Sequence, residues 1–541
     1  MHTRIFHPEK DQNTIAEAAA ILRRGGLVGI PTETVYGLGA DGLNAQAVRQ
    51  IFEAKGRPQD NPLILHVADA AWLERYCLDV PPQAYALARR FWPGPLTMIL
   101  RRREIVPLQT TGGLETVGMR CPDHPVTRAI IAAADLPIAA PSGNTSGRPS
   151  PTTAGHMLED MDGRIDAIVD GGSCSVGVES TIIDLTVQPP RLLRPGGLPL
   201  EALEEVLGEV AVDDAVRRQM SPGEHPRAPG MKYRHYAPHA PVTVVTGSPR
   251  RSAAWVVSRA AAGDGVICFD EFAPLFSHCV VHKLGPAADK AAQARHVFDA
   301  LRAFDATDVT HIYAQCPSEE GLGLAVGNRL KKAAGFHVED AGCGPVFGLT
   351  GGTGAGKTSA LQAVQDLGGY VVDCDALYHG LLRPDTPMGT AIREAFGEVF
   401  LPDGTLERQK LGNRVFSDAL ALERLNAIIY AHLLPKAAEC ICGHDLACLD
   451  AINLMESGLG LLCSRTVAVL APKEQRVRRI MARDGIGEAY ARLRVEAQKP
   501  DDFYRTHCTD VLENTAQRPE EFRQQAAELF RRLIEEETNH E

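Results

Sequence analysis

The chain has 541 residues, enough for several domains each with its own core. Its formal net charge of -12 argues against strong non-specific holding of nucleic acid. The N-terminal stretch MHTRIFHPEKDQNT lacks a signal-type apolar core, no run is apolar enough to span a membrane, and 13 cysteines without repeated spacing suit reduced thiols, so a cytoplasmic protein is expected.

Residues 14–24 read as a helix closed by Gly25 and Gly26, followed by the buried strand LVGIPT. NAQAVRQIFEAK reads as a helix with Asn44 as its N-cap. PLILHV, LTMIL and PIAAP read as short strands. The Pro- and Gly-rich residues 221–230 mark a first break. VTVVTG, GVICFD and DVTHIYAQC are strand-like, with helical stretches between them, and define a small α/β unit over 241–340. It looks Rossmann-like but lacks G-x-G-x-x-G after a strand, so it reads as a lid-supporting or partner-binding domain. AGCGP, residues 341–345, is the second break. A third α/β unit runs from VFGLTGG to the amphipathic helix RPEEFRQQAAELFRRLIEEE. Alternating strands and helices favour an α/β fold throughout. Cys440, Cys442, His444 and Cys448 form the densest thiol group, but paired C-x2-C spacing is absent, so a structural role is expected.

The sharpest motif is Gly351-Gly352-Thr353-Gly354-Ala355-Gly356-Lys357-Thr358, with Ser359 next. It follows the strand VFGLT and opens the helix KTSALQAVQDLG, the context of a P-loop. Turned-in backbone N–H groups and the helix N-terminus hold phosphate. Lys357 is expected at the β/γ-phosphates and Thr358 on Mg2+, with ATP as the donor. The next strand, YVVDCD, ends in Asp373 and Asp375; alternation along a strand would put both carboxylates on one face at its C-terminal edge. A carboxylate there can take a proton from an attacking hydroxyl. Arg476, Arg479 and Arg483 line one face of a further helix, either as a lid over the transferred phosphoryl group or as a solvated basic face.

GLTGGTGAGKT, VVDCDALYHGLL, FGEVFLPDGTLERQKLGNRVFSD, INLMESGL, RIMARDGI and TDVLENTA together resemble the dephospho-coenzyme A kinase family over 346–535. The resemblance implies a P-loop nucleotide kinase domain with a parallel sheet, a lid helix and a coenzyme-binding helical part. It implies 3′-phosphorylation of dephospho-CoA, with Asp375 as base, Asp373 supporting substrate or metal, Arg479 and Arg483 in the lid, and Asn514 near the adenine end. Cys374 replaces the usual Ala, Ile452-Asn453-Leu454-Met455-Glu456 replaces Pro-Leu-Leu-Phe-Glu, and the Pro expected after His432 stands at Pro435. The alternative is another nucleoside or nucleotide kinase.

In the first half, Pro31-Thr32-Glu33-Thr34-Val35-Tyr36-Gly37 follows a strand, and Lys55-Gly56-Arg57-Pro58 closes a helix. Two cations on a rigid turn suit an anionic ligand, and hydroxyl-rich turns such as Ser142–Ser150 offer phosphate donors. PTETVYGLG, KGRPQDNPLILHV, APSGNTSGRPSPT, GVESTIIDL and LLRPGG resemble the threonylcarbamoyl-adenylate synthase (YrdC-like) family over about residues 10–200. PGMKYRHYAPHAP and GLGLAVGNRLKKAA resemble its longer, two-domain form. The resemblance implies that L-threonine, bicarbonate and ATP become threonylcarbamoyl-AMP and pyrophosphate for tRNA modification. It assigns Thr34, His66, Arg120 and Ser180 to threonine. It assigns Arg57, Asn61, Thr116, Ala140, Ser142, Ser150 and Arg194 to ATP, with Lys55 and Arg57 neutralising triphosphate and Tyr236 as a lid or as packing. A tRNA threonylcarbamoyltransferase is the expected partner, and tRNA contact is expected to be indirect or weak. The alternative for this half is an RNA-binding or regulatory module. The expected organisation is a YrdC-like α/β synthase domain at 1–210, a linker or lid at 211–240, the small α/β companion at 241–340 and the kinase at 345–541.

Overall fold

Short apolar runs bounded by Gly, Pro and polar turns become parallel and antiparallel strands, and the longer amphipathic stretches become the helices that cover them. The computed structural model describes residues 2–59, 61–220, 226–229, 235–415 and 418–540. Residues 221–225 and 230–234 of the expected linker lie outside the described residues, as do Phe416 and Ser417 of the kinase resemblance. Contacts divide the chain into two units. The first comprises Met1–Val244, Gly263–Asp270 and Cys279–Glu339; the second comprises Val245–Ala262, Glu271–His278 and Asp340–Glu541.

The first unit is built on a twelve-stranded mixed sheet. At its centre Ile64–His66 runs parallel to Thr116–Arg120, with His66 opposite Arg120. Thr116–Arg120 is antiparallel to Leu96–Arg102, with Thr97 opposite Arg120. Leu96–Arg102 is parallel to Thr181–Asp184, with Leu96 opposite Thr181. This register sets His66, Arg120 and Thr97 along one row across three strands, and Ser180, just ahead of the fourth strand, joins the row through its hydroxyl on Thr97. The helices Thr14–Arg23 and Ala45–Lys55 bury their apolar stripes on the sheet through Ile21, Leu22, Val48, Ile51 and Phe52. Asn44 caps the second helix, its side chain accepting from the Gln46 and Ala47 N–H groups, and Gly56 ends it in the left-handed region. A second, five-stranded sheet takes the order Val280–Gly285, Gly265–Phe269, Ile312–Gln315, Val242–Thr246, Val338–Asp340.

The second unit carries a five-stranded parallel sheet in the order Tyr370–Asp373, Ala447–Asp450, Val346–Thr350, Arg465–Leu470, Asp510–Glu513. Its core joins Phe347, Leu349, Ala363, Val467, Phe522 and Phe530. Strand order reverses beside Val346–Thr350, so the sheet opens a crevice at the C-terminal ends where Asp373, Asp450 and the P-loop stand. Among the described residues, no helix is long and apolar enough to cross a membrane. Among the described residues, none of the thirteen cysteines forms a disulfide.

Candidate active sites

In the first unit, the loops following the central strands enclose a cavity lined by Arg57, His66, Arg120, Ser142, Ser180, Arg194 and Tyr236, among others. Its floor is an ionic and hydroxyl network. Arg120 donates to Glu33 Oε1 at 2.7 Å and to Thr34 Oγ1 at 2.8 Å, and Thr34 shares a 2.8 Å hydrogen bond with Thr32. Glu33 Oε2 accepts from the Asp123 N–H. Ser180 Oγ pairs with Thr97 Oγ1 at 2.8 Å, and Arg194 donates to the Ser180 carbonyl at 2.9 Å and to its hydroxyl at 3.2 Å. Burial holds Arg194 down at about 10, partly countered by Glu179.

Two ring nitrogens in this wall are buried without a protein partner, Nδ1 of His66 and Nε2 of His235; both amide atoms of Asn61 are also unpartnered, but Asn61 does not line the cavity. Buried polar groups cost free energy unless paired, so such atoms around one cavity point to a ligand. Burial, and then Arg120, lowers His66 to about 3; burial, and then Lys332, lowers His235 to about 3. Both rings are neutral donors and acceptors at neutral pH.

Lys55 departs from its expected role. It is 2% exposed, and its ammonium donates to the Ser142 carbonyl and, at 2.5 Å, to the Asn144 carbonyl. It ties down the 142–150 loop from behind and is absent from the cavity wall, because its helix ends in a left-handed Gly56 that turns Arg57, not Lys55, to the cavity. Thr116 sits at the start of its strand opposite Arg101, four residues from Arg120, and does not line the cavity. Ser150 is behind the wall, donating to Glu179 Oε1 at 2.7 Å. Ala140 donates its N–H to the Ile64 carbonyl. Ser142 donates to Asn144 Oδ1 at 2.6 Å. Tyr236 both lines the cavity and packs on Phe298, ring centroids 5.0 Å apart, in a left-handed backbone conformation (φ 65°). Ala237 anchors this segment to the Gly147 carbonyl at 2.9 Å.

In the second unit, Gly354 (φ 81°) and Gly356 (φ 111°) take left-handed conformations that turn the P-loop backbone into the helix Lys357–Asp366. Lys357 Nζ lies 3.3 Å from the Gly351 carbonyl and 4.0 Å from Asp450 Oδ1. Gly352 and Ala355 are buried, Thr358 is exposed on the first helical turn, and Ser359 follows it. Asp450 ends the strand next to the P-loop strand. Burial raises its pKa, Lys357 lowers it, and Asp373 and Asp375 raise it further.

The strand expected to carry both Asp373 and Asp375 stops at Asp373. Asp373 caps a helix by accepting from the Ala376 N–H at 2.9 Å, and Asp375 lies in that helix's first turn. The strand-face argument fails here because capping chemistry at Asp373 overrides strand alternation. Asp375 faces a cavity of about 280 Å³ shared with Tyr378, Asn426, Tyr430, Ile452 and Asn453.

The arginine helix spans Lys473–Asp484. Arg476 Nε donates to the Thr353 carbonyl at 3.1 Å, and Arg479 reaches the Gly354 and Ala355 carbonyls at 3.3 and 3.2 Å. Arg483 does not join them: it pairs with its neighbour Asp484 at 2.6 Å, and its side chain is 59% exposed. Asn514 braces the P-loop, donating to the Ala355 carbonyl at 2.7 Å and accepting from Arg479 at 3.2 Å. Gln498, which no motif flagged, contacts the Thr353 N–H at 3.0 Å and its hydroxyl at 2.7 Å. Asp450 was also unflagged, although an apolar strand ending in an acid is a readable sign. Tyr370 stacks on His444 at 3.9 Å, and no metal-holding group of three or more His, Cys, Asp or Glu occurs among the described residues.

Family models described as "Telomere recombination", "Threonylcarbamoyl-AMP synthase, C-terminal domain" and "Dephospho-CoA kinase" match residues 20–196, 198–335 and 345–520. The threonylcarbamoyl-AMP synthase of Pyrococcus abyssi is 48% identical over 332 residues, covering 59% of this chain and 94% of that protein. The dephospho-CoA kinase of Anaeromyxobacter dehalogenans is 40% identical over 175 residues, covering 31% of this chain and 83% of that protein. The chain belongs to both families. The crystal structure of P. abyssi Sua5 complexed with L-threonine superposes with a TM-score of 0.59 at 46% identity, covering 63% of this chain and 99% of that one. The chain is therefore a bifunctional transferase that uses ATP twice. One activity makes L-threonylcarbamoyl-AMP and pyrophosphate from L-threonine, bicarbonate and ATP; the other phosphorylates dephospho-CoA at its 3′-hydroxyl.

Proposed function

We propose that threonylcarbamoyl-AMP forms in the cavity above the row His66, Arg120 and Thr97, beside Ser180. The observation that carries this reading is the pair of buried, unpartnered ring nitrogens of His66 and His235 in the wall of that cavity. The P. abyssi relative crystallised with L-threonine supports placing threonine on Thr34, His66, Arg120 and Ser180. Arg57, Asn61, Ser142 and Arg194, with Tyr236 over them, hold ATP, while Lys55 and Ser150 shape the loop behind. In the overall reaction, the threonine nitrogen bonds to the bicarbonate carbon with loss of water, and the carboxyl oxygen then displaces pyrophosphate from the α-phosphorus. Positioning and charge neutralisation supply the catalysis, with no covalent protein nucleophile.

In the second unit, Asp375 takes the proton of the 3′-hydroxyl of dephospho-CoA seated in the adjoining cavity, and the P-loop with Lys357 cradles the donor phosphates. The Asp450 carboxylate and the exposed Thr358 hydroxyl are hard oxygen donors that suit Mg2+, which would neutralise phosphate charge when bound. Arg476 and Arg479 stabilise charge on the transferring group. We place the protein in a reducing, cytoplasmic setting on its thirteen cysteines, none of them in a disulfide, with a tRNA threonylcarbamoyltransferase as recipient of the adenylate.

The test uses the full chain. Pyrophosphate release from ATP should require both threonine and bicarbonate and vanish with Arg57→Ala; threonine-independent release would sink the synthase assignment. Phosphorylation of dephospho-CoA should vanish with Lys357→Ala; preference for a nucleoside or AMP would reassign the kinase.

A further inference from the structure

Glu179 is the meeting point of segments far apart in the chain. Its Oε1 accepts from Ser150, and its Oε2 accepts from Arg329 Nε at 2.7 Å. Arg194 also favours its charged form, and Glu179 in turn raises the Tyr236 hydroxyl. Arg329 is 0% exposed and lies 5.6 Å from the Tyr236 ring centroid. It is aimed by Asn328, whose Oδ1 accepts from Arg329 at 2.9 Å and whose amide donates to the Val216 carbonyl at 2.8 Å. The helix that carries Arg329, Gly323–Ala333, lies outside the 20–196 match and showed no catalytic motif.

A buried ion pair adds little net stability, because desolvation offsets the attraction. This one has a second consequence. Glu179 lines the cavity, its backbone leads directly into Ser180, and its other oxygen fixes Ser150. We propose that Arg329 is a positioning residue for threonylcarbamoyl-AMP synthesis: by holding the Glu179 carboxylate, it sets Ser150, Ser180 and the Tyr236 ring around the ATP side of the cavity, so a helix outside the catalytic sheet completes the site. The proposal rests on the ligand placement given above.

The test compares Arg329→Met, Arg329→Lys and the charge-neutral pair Arg329→Met/Glu179→Gln in the full chain. The neutral pair should fold, as judged by native circular dichroism and a cooperative urea transition of the first unit, yet its KM for ATP in pyrophosphate release should rise tenfold or more, with a smaller fall in kcat. Arg329→Lys should recover part of the loss. In Arg329→Met, the acid limb of the synthase pH profile should move toward neutrality, because burial raises an uncompensated Glu179. A wild-type KM and pH profile in both the neutral pair and Arg329→Lys would overturn the proposal. If the neutral pair does not fold, Arg329→Lys decides on the same readouts. Failure of the synthase reading itself would appear separately, as no threonine-dependent pyrophosphate from the unsubstituted chain. In that case calorimetric ATP binding, with Lys357→Ala silencing the kinase site, still reads Arg329: unchanged affinity in Arg329→Lys and in the neutral pair overturns the proposal.

Discussion

A buried imidazole resists protonation because the charged form loses its water. His66 and His235 titrate near 3 in the fold, against an ordinary 6.5. The unfolded chain therefore takes up protons below about pH 6.5 that the folded chain refuses, and stability falls as pH drops from there toward 3. Glu179 adds to this lower down. Burial raises it, but Arg329 and Arg194 prevail and hold it near 2 against an ordinary 4.5, so its contribution, present above 4.5, is lost as pH falls toward 2. At pH 5, each histidine should cost about 2 kcal/mol relative to pH 7. Urea unfolding of the first unit at both pH values should show that loss, and His66→Gln should remove about half of it; a flat stability between pH 7 and 5 would contradict the buried geometry. At this scale much was legible. His66, Arg120 and Ser180, named from local motifs, come together in one cavity wall. Arg329 was not legible, since its meaning lies in a contact with Glu179 150 positions away that no local pattern encodes.

Elements decide how such residues are presented. The helix Lys473–Asp484 presents Arg476 and Arg479 to the P-loop carbonyls, while Arg483, one further turn along, is captured by Asp484. Helical spacing identified the face correctly but could not show where the P-loop ends along it. The same limit applies to Asp375, where spacing implied a strand and capping by Asp373 made a helix. Arg476→Ala should lower kcat for dephospho-CoA phosphorylation by about 10²-fold, the order seen when one donor to a developing charge is removed. Lys55→Met should act differently. It leaves the Ser142 and Asn144 carbonyls without their donor and loosens the loop, so the synthase KM for ATP should rise while circular dichroism stays native-like. An unchanged KM would mean that the loop holds itself.

At the scale of the molecule, the family matches and the compact units divide the chain differently. The helix Pro249–Val257 falls within the match at 198–335, yet it belongs to the unit that holds the kinase. Composition breaks at 221–230 and 341–345 could not reveal this, because burial, not composition, assigns the helix. Its Arg251 is 2% exposed and donates to the Gly344 carbonyl at 2.6 Å, Ile441 at 2.7 Å, Pro345 at 3.2 Å and Asp445 at 3.4 Å. These carbonyls lie at the entry to the P-loop strand and at the turn before the Asp450 strand, so one guanidinium fixes the base of two strands that carry the kinase site. Hydrogen bonds from a charged donor contribute about 1.5–3 kcal/mol each before geometry and water recapture reduce them. Arg251→Met should therefore destabilise the second unit by about 2–4 kcal/mol. A fragment beginning at residue 341, which lacks the helix altogether, should be destabilised at least as much. Denaturant titration followed by dephospho-CoA turnover measures both. A fragment as stable as the full chain would show that the kinase fold ends where the sequence break does, and that Arg251 only decorates it.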